Sequence, residues 1–232
     1  MIRLLTYNIH GCIGRSGRED PDAILEVIRQ SEADVVALQE VHDDDATRTR
    51  LLNRAEEIGF STVTHGPVLQ KSRGPYGNVL MSRVPPRKTQ RIDLDLGGIE
   101  ARGAIRFHLD LPDRPLDVCA THLGLAPAER LRQIRRIDQI LADADEGHDD
   151  GIQVLMGDLN EWRPATRFMR TLRRRFPIIS RQSTFPARRP CIALDRIAVR
   201  GEGCEVRFQR LDLPPADRAS DHRPLLAEIE FG

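Results

Sequence analysis

Roughly eleven short apolar or alternating runs, closed by Gly, Pro, Asp or Asn, limit what this 232-residue chain can become. "IRLLTYNI", "DVVALQE", "NVLMSR", "ARGAIRFHLDL", "PLDVCATHL", "IQVLMGDLN" and "PLLAEIEF" are of strand length. None approaches the roughly 18–20 apolar residues of a membrane span. Several alternate polar with apolar, which points to antiparallel pairing. The opening differs. "EDPDAILEVIRQSEAD" lies between two apolar strands, with Asp20 as cap, Pro21 in the first turn, and Ile24, Val27 and Ile28 on one face. That is a βαβ-like unit. Further helices are expected over "TRLLNRAEEIG", around 127–145 and near 164–175. About eleven strands and four helices then fit an α/β fold in one domain over residues 1–232, with two mixed sheets packed face to face and helices outside.

Charge narrows the function classes. Lys plus Arg and Asp plus Glu both number 35, which argues against a protein that coats nucleic acid by bulk charge. Cys12, Cys119, Cys191 and Cys204 are widely spaced and form no CxxC, so neither a disulfide scaffold nor a zinc ribbon is expected. The N-terminus reads as a strand rather than a secretory leader. A cytoplasmic protein with free thiols and no transmembrane segment is the expectation.

Polar residues gather at strand ends. Asn8 closes the first strand, Glu40 the second, His122 the strand "DVCATHL", and Asp158 with Asn160 the strand "VLMGDLN". Asp195 stands in "ALDRIAV", and Asp221 and His222 precede the last strand. Any one of these alone is a turn or cap residue. Together they supply carboxylates, amides and imidazoles without CxxC or HxxxH spacing, a set that suits a hard cation such as Mg²⁺. There is no GxSxG and no P-loop, which disfavours a serine route or nucleotide-driven chemistry.

"TYNIH", "ALQEV", "PYGNVLMSR", "EARGAIRF", "ATHLG", "MGDLNEW", "IALDRI" and "ASDHRPL" occur in the order of the endonuclease/exonuclease/phosphatase (DNase I-like) superfamily, which the chain resembles over nearly its whole length. The resemblance implies a four-layer α/β sandwich and a phosphoesterase dependent on Mg²⁺ or Mn²⁺. It implies metal binding by Glu40, Asn8 and Asp221. Asp158 resembles the carboxylate that places or deprotonates the attacking water, and Asn160 the amide on a phosphate oxygen. His222 resembles the imidazole on the scissile phosphate, and Asp195 the carboxylate that orients it. His122 matches a second histidine used by some branches. Tyr76 and Arg102 fall where the family contacts phosphate.

Substrate is less constrained. Nine arginines and no acid lie between Trp162 and Leu194, either as a solvated face offset by acidic runs at 43–45 and 143–150 or as a cationic surface beside the cleft. One Trp and two Tyr weaken a single-strand reader built on base stacking. The expected partner is a phosphate ester, either nucleic acid or a phospholipid headgroup, with no obligate protein partner. An inositol-phosphate-like monoester and a catalytically silent binding module are the alternatives.

Overall fold

Alternation along the strands sets the layers. In β1 (Ile2–Asn8) Leu5 and Tyr7 face one side while Ile2 and Leu4 face the other. In β7 (Pro115–His122) and β8 (Ile152–Asp158), Leu116, Val118 and Ala120 and then Ile152, Val154 and Met156 meet Leu4 in one core. Each fully buried Leu, Ile or Val in that core contributes roughly 1.5–3 kcal/mol. The computed structural model describes all residues except 43, 45–46, 72–73, 96–99, 144–150 and 213.

The remaining strands are β2 (Val35–His42), β3 (Thr62–Lys71), β4 (Gly74–Ser82), β5 (Lys88–Asp93), β6 (Gly103–Asp110), β9 (Ile178–Ile179), β10 (Asp195–Arg200), β11 (Cys204–Arg210) and β12 (Leu225–Phe231). One six-stranded sheet has the order β11-β12-β1-β2-β4-β3, the other β5-β6-β7-β8-β10-β9. Both are mixed: β1–β2 and β7–β8 are parallel, and their other pairings are antiparallel.

Helices cover the outer faces. In α1 (Pro21–Ser31) the Ala23 N–H donates to Asp20 Oδ1 at 3.1 Å, and Ile24, Leu25, Val27 and Ile28 pack on Tyr7 and Leu38 of the first sheet. α2 (Asn53–Glu57) adds Ala55 to the same layer. On the other sheet, α3 (Pro127–Asp143) and α4 (Arg167–Arg175) bury Ile134, Ile137, Phe168 and Leu172 against Cys119, Leu155 and Ala198. Thr166 caps α4, and Arg173, Arg174 and Arg175 occupy its last turn, where the helix dipole favours cations. The result is helices, sheet, sheet, helices: the expected four-layer sandwich.

Several boundaries differ from expectation. "TRLLNRAEEIG" is α-helical only over Asn53–Glu57 and is preceded by a π-turn at Arg48–Leu52. β9 has two residues, too short for an apolar period to register. Ile192 pairs with Phe185 in an isolated bridge, so the strand expected over "CIALDRIAV" begins at Asp195. The acidic stretch 144–150 lies outside the described residues. No helix is long and apolar enough to cross a membrane among the described residues.

Candidate active site

Period two also delivers the polar groups. Continue the inter-sheet row of β7 and it ends at His122; that of β8 ends at Asp158, and that of β10 begins at Asp195 ahead of Ile197 and Val199. Pairing fixes them side by side, with His122 opposite Asp158 and Asp195 opposite Asp158. Gly157 permits this. Its φ is +144°, and a Cβ there would stand 1.8 Å from the Thr121 carbonyl oxygen, so no larger residue fits.

Glu40 arrives by a different device. Val36 and Leu38 of β2 face the helical layer, and unbroken alternation would send Glu40 the same way. A bulge between Leu38 and Val41 adds one residue relative to β4, and Glu40 takes φ +59°. Val41 then returns to the helix side, while Glu40 meets Asn8 from β1. Glu40 was expected at the end of its strand; it lies in the bulge, and β2 runs on to His42.

Within the cluster, one amide joins the two sheets. Asn8 Nδ2 donates to Glu40 Oε1 at 3.0 Å and to Asp158 Oδ2 at 3.0 Å. Asp158 Oδ1 accepts from the Asn160 N–H at 3.0 Å. His122 Nε2 and His222 Nε2 stand 3.6 and 3.8 Å from Asp158 Oδ2. Behind His222, its Nδ1 bonds Asp195 Oδ2 at 2.8 Å, and the Thr184 hydroxyl donates to the same oxygen. Tyr76 hydrogen-bonds Glu40. Arg102, buried and paired with Glu100 at 2.8 Å, acts electrostatically on His122 and Tyr76. Asp221 lies outward, with Oδ2 3.8 Å from His10 Nδ1. All ten residues singled out from the sequence thus fall in one connected cluster.

Three contributors were not anticipated. His10 Nδ1 lies 3.5 Å from Glu40 Oε2 as well as near Asp221, and its N–H donates to Asn8 Oδ1 at 3.1 Å. Its position two residues after Asn8 in "TYNIH" was the available signal. Thr184, eleven residues before Asp195, left no trace in the sequence. Ser220 donates to the Asn8 carbonyl at 2.7 Å and braces the end of β1. Backbone geometry also marks the site. Among the described residues five non-glycines have positive φ, and three of them are His10, Glu40 and Asn160. Such conformations cost on the order of 1–3 kcal/mol each and concentrate at functional sites.

Charge states follow from these contacts. Burial pushes Asp158 upward, but His122, His222, Asn8 and the Asn160 N–H outweigh it and hold the carboxyl below its ordinary range. Glu40 behaves alike: burial raises it, and His122, Asn8, Tyr76 and His10 bring it down. Burial pulls His122 below the usual histidine value despite Asp158, so it is neutral at pH 7. Burial would also lower His222, yet Asp195 and then Asp158 raise it to about 10. A neutral His122 accepts at Nε2 from Asn160 Nδ2, 3.1 Å away. Asn160 Nδ2 also donates to the Leu123 carbonyl at 2.9 Å, so both amide hydrogens are spent on protein. Asp158, Asp195 and His222 each offer a ligand atom, all within 4.8 Å of one another, a group that could hold a metal.

A sandwich with acid, amide and imidazole at one end of its inter-sheet core is a phosphoesterase architecture, and the chain belongs to the endonuclease/exonuclease/phosphatase family, whose model matches residues 5–222. It is 28% identical over 248 aligned residues to YbhP of Escherichia coli K12, covering 99% of this chain and 96% of that one. Among solved structures it resembles the human Nocturnin catalytic domain with bound sulfate, at TM-score 0.79 and 21% identity, covering 100% and 93% of the two chains. The mannosyl-6-phosphatase of Bacteroides thetaiotaomicron aligns over 100% of both chains at TM-score 0.74 and 14% identity.

Proposed function

We propose that the protein hydrolyses a phosphodiester, of nucleic acid or of a lipid headgroup, by in-line attack of an activated water with Mg²⁺ or Mn²⁺. The observation that carries this reading is the Asn8 amide, which holds Glu40 and Asp158 from opposite sheets at 3.0 Å each. The donor chemistry fits a hard divalent cation. Glu40 and Asp221 keep partly exposed carboxylates, with the His10 imidazole within 4 Å of both. Asp195 and His222 are engaged with each other, and an imidazolium has no lone pair to give, so Glu40, Asn8 and Asp221 are the better holders. A divalent cation bound there supplies positive charge to the phosphate and its leaving oxygen.

The chain's own groups supply the rest. Asp158, ionised and a weak base, aligns the water by hydrogen bonding as much as it takes the proton. His222, charged through Asp195, donates from Nε2 to a phosphate oxygen as negative charge grows. Arg102 has a buried Nε–H without a protein partner, suited to another oxygen, and Tyr76 borders the same space through Glu40. Asn160 reaches a phosphate oxygen only by giving up its hydrogen bond to His122 Nε2 or to the Leu123 carbonyl.

A phosphomonoester is the second reading, favoured by the full-length likeness to a sugar-phosphate phosphatase. Bis-(p-nitrophenyl) phosphate is assayed against p-nitrophenyl phosphate with Mg²⁺ or Mn²⁺ and then EDTA. Metal-dependent diester cleavage is expected. Cleavage of the monoester alone selects the second reading, and no metal-dependent turnover with either overturns both.

A further inference from the structure

A cavity of about 670 Å³ lies on the other face of β10 from the acid–histidine cluster. Asp195 points into the inter-sheet cluster, while Arg196, next along the strand, lines the cavity with Arg173 of α4 and Arg181. Its apolar wall includes Met169 and Ile179, and Trp162 lies at its margin, 56% exposed. No acidic side chain lines it. The volume falls within the roughly 300–1,000 Å³ range of small-ligand sites.

The arginines lack direct ion-pair partners. Arg196 is 7% exposed; it donates from Nη1 to the Ser180 carbonyl at 2.7 Å, and its buried Nε has no partner. Arg173 donates to the Pro164 carbonyl at 2.7 Å. Among the described residues none of the three makes an ion pair with a carboxylate. A buried cation without a paired carboxylate is costly, and burial together with Arg173 outweighs the electrostatic pull of Asp195 and Glu161 and holds the Arg196 guanidinium below its ordinary pKa. Three guanidiniums converging on an acid-free, partly apolar cavity match a phosphate dianion, which accepts several N–H bonds at once.

We infer that this cavity is a second anion site, which takes a phosphate-bearing small molecule through Arg173, Arg181 and Arg196 with Trp162 as its neighbour. The site does not depend on the hydrolytic reading, since it uses none of the proposed catalytic residues. It bears on them through the 180–193 segment, which lines the cavity and carries Thr184 to Asp195.

Trp162 is the sole tryptophan, so its fluorescence reports on the cavity directly. The full-length protein is titrated with pyrophosphate at fixed ionic strength, alongside Asp158→Asn and the double variant Arg173→Gln/Arg181→Gln. Both arginines are exposed, so the double variant keeps its fold, as circular dichroism will verify. A saturable change is expected, retained in Asp158→Asn and weakened at least tenfold in the double variant. No saturable change, or equal affinity in the double variant, overturns the inference. So does loss of the signal in Asp158→Asn alone, which would place pyrophosphate in the catalytic cleft. Citrate binding as tightly as pyrophosphate would overturn the phosphate assignment.

Discussion

Replacing Asp195 by Asn is the sharpest test of the site's electrostatics. Burial alone would pull His222 below its ordinary 6.5, whereas the native contacts raise it to about 10. Asp195 Oδ2, 2.8 Å from Nδ1, is the largest of the raising influences. Each pKa unit corresponds to about 1.4 kcal/mol. Removing the charge therefore takes His222 from cationic to neutral at pH 7.5, with Asp158 and Asp221 left as weaker support. Asn keeps a partner for Thr184, so the stability loss falls near the lower end of the roughly 3–5 kcal/mol typical of breaking a buried pair. The sign follows from the raised folded pKa. His222 adds stability that is fully present below pH 6.5 and is lost as pH rises through about 10. The variant loses that alkaline dependence. Long-range ¹H–¹⁵N correlation spectra across pH 5–10 read the charge of His222 directly. Turnover should fall by about two orders of magnitude or more, within the range for general acid–base groups. A His222 that stays protonated above pH 8 in the variant, or turnover within a factor of three of native, refutes the reasoning.

Other expectations follow from single contacts. Asp158→Asn should lower turnover on the order of a hundredfold or more with little change in Tm, and near-native activity would remove it from water activation. Glu40→Gln should raise the metal concentration for half-maximal activity at least about tenfold, as for lost ligand contacts, and His10→Gln should do so to a smaller degree. His122 has a lowered folded pKa, so the unfolded chain binds more protons near its ordinary value. Denaturant titrations should find stability falling as pH drops below 6.5, less so in His122→Gln. Gly157→Ala forces a Cβ onto the Thr121 carbonyl; the backbone strain alone should cost about 1–3 kcal/mol and the clash adds to it, read as a lower midpoint in urea.

Most of the site was legible because strands write their facing into the sequence. Leu116, Val118 and Ala120 point to His122 as Ile152, Val154 and Met156 point to Asp158, and the layers follow from the same period. Glu40 shows the limit. Its strand obeys the period and then breaks it, and the bulge that turns Glu40 inward depends on pairing with β4, which no local pattern encodes. Thr184 shows another limit, since it reaches Asp195 through a loop with no repeating period. β9 and the π-turn before α2 escaped for lack of length. Asn160 was legible as a polar strand-end residue, but the commitment of both its hydrogens to His122 and Leu123 needed coordinates.

Asn8 belongs to one sheet and Asp158 to the other, and a single side chain ties them. Neither half of the molecule owns a complete reaction centre. During refolding, catalysis should switch on in step with the docking of the two sheets and never ahead of it.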